Sequence, residues 1–234
     1  MTNRIHAPAT LARAAAAIAC AFVLAPPAAA REALPAAALP IVAARFPGFL
    51  VESHGVGPLH ADGARDLALV LARKDAPATH AVAVLLDDGR GGYRFSKASG
   101  AIEAGAHGEE LAAQIDRRVL VVRVTAPGGD VAVVTRYRFA FRDGTRALRL
   151  VGLDIDRFSH TDPATDYRNV TTADLLTGAK TETLDGGAGP RRIHRESKTR
   201  VPLRQPIAFE QFAFDVDGLP AEAAAQFDSA AGRR

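Results

Sequence analysis

Between Val119 and Phe158 three runs of alternating apolar residues are separated by two turn signals, an arrangement that leaves few folds open. VLVVRVTA (119–126) leads into Pro127-Gly128-Gly129-Asp130, VAVVTRYRFAF (131–141) leads into Arg142-Asp143-Gly144-Thr145, and RALRLVGLDIDRF (146–158) follows. Side chains alternate across a strand, so a period of two gathers every second residue on one face. In the middle run Val131, Val133, Tyr137, Phe139 and Phe141 share one face, and Arg136, Arg138 and Arg142 share the other. Short Gly- and Asp-containing loops join antiparallel neighbours, so the stretch predicts three consecutive strands of a sheet buried on one side. In the third run Leu148 and Leu150 have one parity, Leu153 and Ile155 the other, and Gly152 between them predicts a bulge that resets the register.

The flanking sequence extends the same pattern. ALPAAALPIVAARF (33–46) reads as a short amphipathic helix stopped by Pro47-Gly48. Strands are predicted from Phe49, over Asp66 to Lys74, over His80 to Asp87 and, more briefly, over Tyr93 to Ser96. The segment Ala98 to Gln114 is Gly- and Ala-rich, with at most one helical turn expected near Glu109 to Gln114. Tyr167 to Leu176 and Ala179 to Leu184 flank the turn Thr177-Gly178, and Arg192 to Leu203 is a last extended stretch. Its charges alternate with apolar Ile193 and Val201, as on the wet face of an edge strand rather than in a nucleic-acid groove. Phe209, Phe212 and Phe214 are expected to return aromatic surface to the core. The fold class is therefore mainly β (α+β): an antiparallel sheet or meander with a short N-terminal helix. With 48% hydrophobic and 24% charged residues, the composition is that of a globular domain rather than a disordered or collagen-like chain.

The first thirty residues read differently. Arg4 and Arg13 precede the apolar run AAAAIACAFVLA (14–25), Pro26-Pro27 breaks it, and Ala28-Ala29-Ala30 offers an A-x-A cleavage site. A secretory signal over residues 1–30 is expected, followed by one β-rich domain over 31–218 and a flexible tail over 219–234. The apolar run falls short of the roughly 20 residues a membrane span needs, so no transmembrane segment is expected in the mature chain. Cys20, in Ala17-Ile18-Ala19-Cys20, leaves a lipid-anchored alternative open. Cleavage after Ala30 would remove two of the 29 Lys and Arg, leaving 27 against 26 Asp and Glu, a net charge of +1. It would also remove the single Cys, so a periplasmic or secreted product would stand on packing alone.

The stretch GPLHADGARDLALVL (57–71) carries a family likeness. It resembles the loop of exported bacterial proteins with FG-GAP or integrin-like (VCBS-type) motifs, G-D-x-N-x-D-G-x-x-D followed by L-A-L-V. Gly57, Asp62, Gly63 and Asp66 match, as does Leu67-Ala68-Leu69-Val70. The resemblance implies a calcium loop with Asp62, Asp66 and the place of His60 as ligands. Pro58, however, stands where the first Asp would be, and His60 where the Asn would be. Calcium takes 6 to 8 oxygen ligands, which two carboxylates do not supply. The competing reading keeps the Gly63 turn and has the Asp side chains bond backbone N–H groups. YRFAFRDG (137–144), RLVGLDID (149–156) and NVTTADLLTGAKTET (169–183) are similar to the second half of a group of exported bacterial proteins of unassigned reaction, which implies fold and compartment alone.

Other chemistry is thin. His54, His60 and Asp62 offer imidazole and carboxylate to a transition metal, but without H-x-H or H-x-x-x-H spacing. G-x-S-x-G, H-E-x-x-H, P-loop and S-x-x-K signatures are all absent. Asp154 and Asp156 share one strand face about 6.6 Å apart, which admits an envelope-polymer hydrolase with an acidic pair as the alternative. Asn169-Val170-Thr171 matches a glycosylation pattern but reads as strand sequence. The expectation is an exported, non-catalytic binding or accessory protein of the bacterial envelope. It would contact a protein or glycan rather than nucleic acid, and use no cofactor unless the loop keeps calcium.

Overall fold

The computed structural model describes residues 33–105, 108–142, 146–159, 166–187, 192–200 and 207–212. A 3-10 turn, Ala36–Ala38, runs into helix α1, Leu39–Arg45, with Pro40 in its first turn, where a missing N–H costs nothing. The helix stops at Phe46, and Gly48 takes the left-handed φ of 86° that turns the chain into the first strand.

Two antiparallel sheets follow. The first contains β1 (Phe49–Gly57), β2 (Asp66–Arg73), β3 (Thr79–Asp87) and β4 (Tyr93–Ala98) in chain order, and short β5 (Ile102–Glu103) pairs with the start of β3. The second is a seven-stranded meander of β6 (Glu110–Asp116), β7 (Val119–Ala126), β8 (Val131–Phe141), β9 (Leu148–Ser159), β10 (Tyr167–Asp174), β11 (Ala179–Gly186) and β12 (Ile193–Arg200). The expected mainly β class with a short N-terminal helix is what the chain adopts, and the described residues from Leu34 onward form one compact unit. Among the described residues no helix is long and apolar enough to cross a membrane.

The first sheet is covered on both faces, which explains the near-continuous apolar run of β2. Leu67, Leu69 and Leu71, with Ala83 and Leu85 of β3, pack on Ala38 and Val42 of the N-terminal helical segment. Ala68 and Val70, with Val82 and Val84, face Leu120, Val122, Phe139 and Leu150 of the second sheet. Burial of this many Val and Leu side chains, each worth about 1.5–3 kcal/mol, is what holds the layers together. β1 lies directly on β6. A Cβ on Gly55 would sit 2.7 Å from the Ala113 carbonyl oxygen, and one on Gly57 2.7 Å from that of Ile115. Phe209 and Phe212 enter between the sheets and meet Phe139 edge-on, with ring centroids 5.0 and 4.9 Å away.

The expected bulge is present. Arg138 pairs with Gly152 but Phe139 with Leu150, so Val151 is the extra residue and Leu148, Leu150, Leu153 and Ile155 are all buried. Gly152 has a second reason to be there, because the Arg138 guanidinium lies across it, 2.5 Å from where a Cβ would be.

One expected element is corrected. Residues 109–114 do not form a helical turn: Glu110–Asp116 is strand β6, paired with β7 from Glu110↔Thr125 to Asp116↔Val119. Glu, Leu, Ala and Gln favour helix locally, but pairing with β7 buries Ala113 and Ile115 against the first sheet and overrides that preference. The expected last strand is found as Ile193–Arg200, exposed at every residue. Phe214, residues 1–30 and the tail over 219–234 lie outside the described residues.

Candidate functional site

The β1–β2 loop separates the residues that its sequence put together. Asp66, at the first position of β2, is fully buried. Its Oδ2 accepts the backbone N–H groups of Leu59 at 2.7 Å and His60 at 2.8 Å, and its Oδ1 accepts that of Asp87 at 2.9 Å. The His60 ring donates through Nδ1 to the same carboxylate, 2.7 Å from Oδ1. Asp62 is at the exposed tip, after which Gly63 takes a φ of 76°, and its carboxylate lies 3.6 Å from Nε of Arg118. His60 and Asp66 thus converge and Asp62 points elsewhere. Among the described residues no three His, Cys, Asp or Glu side chains are grouped to hold a metal. The Asp66 oxygens already hold three backbone N–H groups, the arrangement of a loop clamp.

Asp154 and Asp156 do share a strand face, each beside an arginine. Arg168 forks onto Asp156 at 2.9 and 2.7 Å, and this bidentate bond and the Asp156 charge hold the guanidinium above its ordinary pKa. Arg138 lies 3.2 Å from Asp154 and also donates to the Ala173 carbonyl. Each of the two carboxylates is thus already engaged by a guanidinium. The basic last strand is likewise paired: His194 with Asp185 at 2.6 Å and Lys198 with Glu196 at 2.9 Å.

The feature that stands out is the β6–β7 hairpin. Its two loop residues, Arg117 and Arg118, have φ of 46° and 69°, the doubly left-handed conformation of a type I′ turn that Asn-Gly ordinarily fills. Two arginines there carry backbone strain of about 1–2 kcal/mol each. The turn is held against the β1–β2 loop: the Arg118 N–H donates to the Pro58 carbonyl at 3.0 Å and its Nη2 to that of His60 at 3.2 Å.

Beside this turn opens a cleft of about 670 Å³, bounded by the β1–β2 loop, β4, the β6–β7 turn and the end of β8. Its base is apolar, with Leu59 and Leu86 buried and Phe95, Val119 and Phe141 partly so. Arg94, Lys97, Arg117, Arg118, Arg142 and Arg146 supply six cations, and the described residues lining it include no Asp or Glu. Lys97 is ion-paired with Glu210 of the 3-10 turn Phe209–Gln211. Burial pushes the Glu210 carboxyl up, but the Lys97 bond, its own backbone N–H and the Lys97 and Arg149 charges hold it below its ordinary value. Arg94 and Arg146 have no carboxylate partner among the described residues. His60 also lines the cleft, its ring fixed through Nδ1 by Asp66.

None of these cations was singled out from the sequence. The usable signal was Arg117-Arg118 as a two-residue gap between apolar alternations, visible only once β6 is read as a strand. No family model, curated protein or solved structure matches the chain.

Proposed function

We propose that the protein is an exported, non-catalytic binding module of the bacterial cell envelope that holds an anionic ligand in the cleft between β4 and the β6–β7 turn. The observation that carries the reading is the pair of left-handed arginines, Arg117 and Arg118, at the rim of a cleft whose described lining residues include six cations and no carboxylate. Backbone strain is retained where the surrounding structure over-determines it, and it concentrates at ligand sites. Like charges gathered in a concave, partly apolar surface repel one another and raise the local concentration of anions. Guanidinium groups match the planar, multidentate geometry of carboxylate and phosphate better than ammonium does.

The secretory pattern of residues 1–30 and the FG-GAP-like loop around Gly63 support the envelope assignment. In this reading the motif supplies a turn and the Asp66 clamp, and the clamp positions Leu59 and His60 at the cleft.

The test is thermal melting of the processed protein with a panel of citrate, inorganic phosphate, alkyl phosphates and uronate oligomers, beside Arg94→Gln/Arg146→Gln. At least one anion is expected to raise Tm in the parent and not in the double variant; a ligand at about 100 times its Kd stabilises by about 2.7 kcal/mol. A panel that leaves Tm unchanged, or raises it equally in both proteins, overturns the cleft as the binding site. N-terminal sequencing of the periplasmic protein tests the compartment, with Arg31 expected first and an acylated Cys20 the contrary result.

A further inference from the structure

The composition of the cleft narrows the ligand further, and this step rests on the reading of the cleft as an anion site. Two of its six cations are already answered inside the protein: Lys97 by Glu210, and Arg118 by Asp62 at 3.6 Å. Arg117 lies 3.9 Å from Asp116 on an open surface, where such a pair is worth little. Arg94 and Arg146 make no ion pair among the described residues, and Asp87 and Asp88 line a separate small pocket with Arg94. Arg142 has a partner of its own, which leaves Arg94 and Arg146 as the two lining guanidinium groups without an ion pair among the described residues, and a phosphate monoester, with about −1.5 to −2 charge at pH 7 and three acceptor oxygens, can accept from both. His60, held by Asp66 through Nδ1, lines the same cleft.

A bare anion would leave most of the cleft unfilled. Phosphate occupies the space of a few waters at about 30 Å³ each, a small part of the cleft's 670 Å³. The remainder runs over Leu59, Leu86 and Phe141, which offer contact to an apolar group and none to a second charge, while the Phe95 ring is engaged with Phe46 and Arg45 beside the N-terminal helix.

We infer that the cleft binds a phosphate monoester whose organic part is apolar, the chemistry shared by a phosphatidic-acid headgroup with its first acyl carbons and by a soluble phosphorylated aromatic or alkyl compound. Arg94 and Arg146 take the phosphate oxygens, and the Leu86–Phe141 side takes the apolar group.

Calorimetry on the processed protein tests this with octyl phosphate below its micelle concentration, octyl glucoside, inorganic phosphate and citrate. Octyl phosphate is expected to bind at least tenfold more tightly than each of the other three. Arg94→Gln and Arg146→Gln should each weaken it about tenfold or more, and Arg94→Lys, which keeps the charge and removes the fork, several-fold. Both positions are at the surface, and an unchanged melting curve without ligand confirms that the variants fold. Sedimentation with phosphatidic acid vesicles, against phosphatidylcholine vesicles, separates the two sources: capture assigns the lipid, and octyl phosphate binding without capture assigns the soluble compound. Octyl glucoside or inorganic phosphate binding as well as octyl phosphate overturns the phosphorylated amphiphile. Citrate binding more tightly than octyl phosphate overturns it too, while leaving an anion site in place. Failure of every anion sinks both readings.

Discussion

The carboxylate of Asp66 holds the imidazole Nδ1 of His60 at 2.7 Å while accepting three backbone N–H groups from two separate segments, residues 59–60 and Asp87. One buried side chain thereby fixes the β1–β2 loop, the end of β3 and one wall of the cationic cleft.

Removing it should be felt in stability before anything else. Asp66→Ala leaves three N–H groups without their acceptor in a buried site, and each such loss costs about 1–3 kcal/mol. A loss of about 3–5 kcal/mol in urea unfolding is expected, against less than about 0.5 kcal/mol for exposed Asp62→Ala. The same comparison addresses calcium. If Asp66 is a clamp, addition of Ca2+ followed by chelation should leave Tm unchanged in the parent. A calcium-dependent rise abolished by Asp62→Ala would instead restore the ion-binding loop.

The β6–β7 turn should show opposed effects on stability and binding. Asn tolerates the left-handed region far better than Arg, so Arg117→Asn, at φ 46°, is expected to stabilise by about 0.5–1 kcal/mol. It should at the same time weaken anion binding by removing one rim cation. A variant that is both less stable and unchanged in binding would show that the strained turn serves neither strain relief nor the ligand.

The meander was legible because β7, β8 and β9 alternate with a period of two and are punctuated by Gly and Asp, a signal that survives without tertiary information. Even the parity change at Gly152 could be read. β6 was not legible: ELAAQ is composed of helix formers, and Arg-Arg is not a turn dipeptide, so the strand exists only through its pairing with β7. The loop was recognisable as a turn around Gly63, but the role of Asp66 depends on Asp87 arriving 21 residues later. The cleft was the least legible feature because β4, the β6–β7 turn, the end of β8 and the β1–β2 loop each contribute to it. A sequence pass sees those arginines one at a time, each on an ordinary wet strand end.

Two glycines that look alike in sequence should respond differently to alanine. At Gly152 the added methyl would meet only the far end of the Arg138 side chain, which can swing away. The cost is then the lost contacts to Asp154 and the Ala173 carbonyl, about 1–2 kcal/mol. At Gly55 the methyl would meet backbone, the Ala113 carbonyl oxygen at 2.7 Å and the Gln114 Cα at 2.8 Å. Neither can yield without separating β1 from β6, so Gly55→Ala is expected to cost more than Gly152→Ala, about 3 kcal/mol or more. Equal midpoints in urea for the two variants would show that the sheets slide freely past each other.

Glu210 couples the pH dependence of stability to the charge of the cleft. Its carboxyl is held below its ordinary value because the Lys97 bond and nearby positive charge outweigh burial. A lowered folded pKa means that the ionised form is favoured by folding. The stabilisation is therefore fully present above the unfolded value of about 4.3 and is lost as pH falls through the lower folded value. Glu210→Gln should remove that part of the acid sensitivity and leave stability near pH 7 slightly reduced. It also releases Lys97 from its partner at the cleft. The variant is thus expected to bind octyl phosphate more tightly than the parent at pH 7, by a few-fold, as the cleft gains close to one unit of positive charge. Calorimetry at two salt concentrations checks the cause, because an electrostatic gain must shrink as the ionic strength rises. A gain that persists in high salt, or weaker binding in Glu210→Gln, would show that Glu210 shapes the cleft rather than neutralising it.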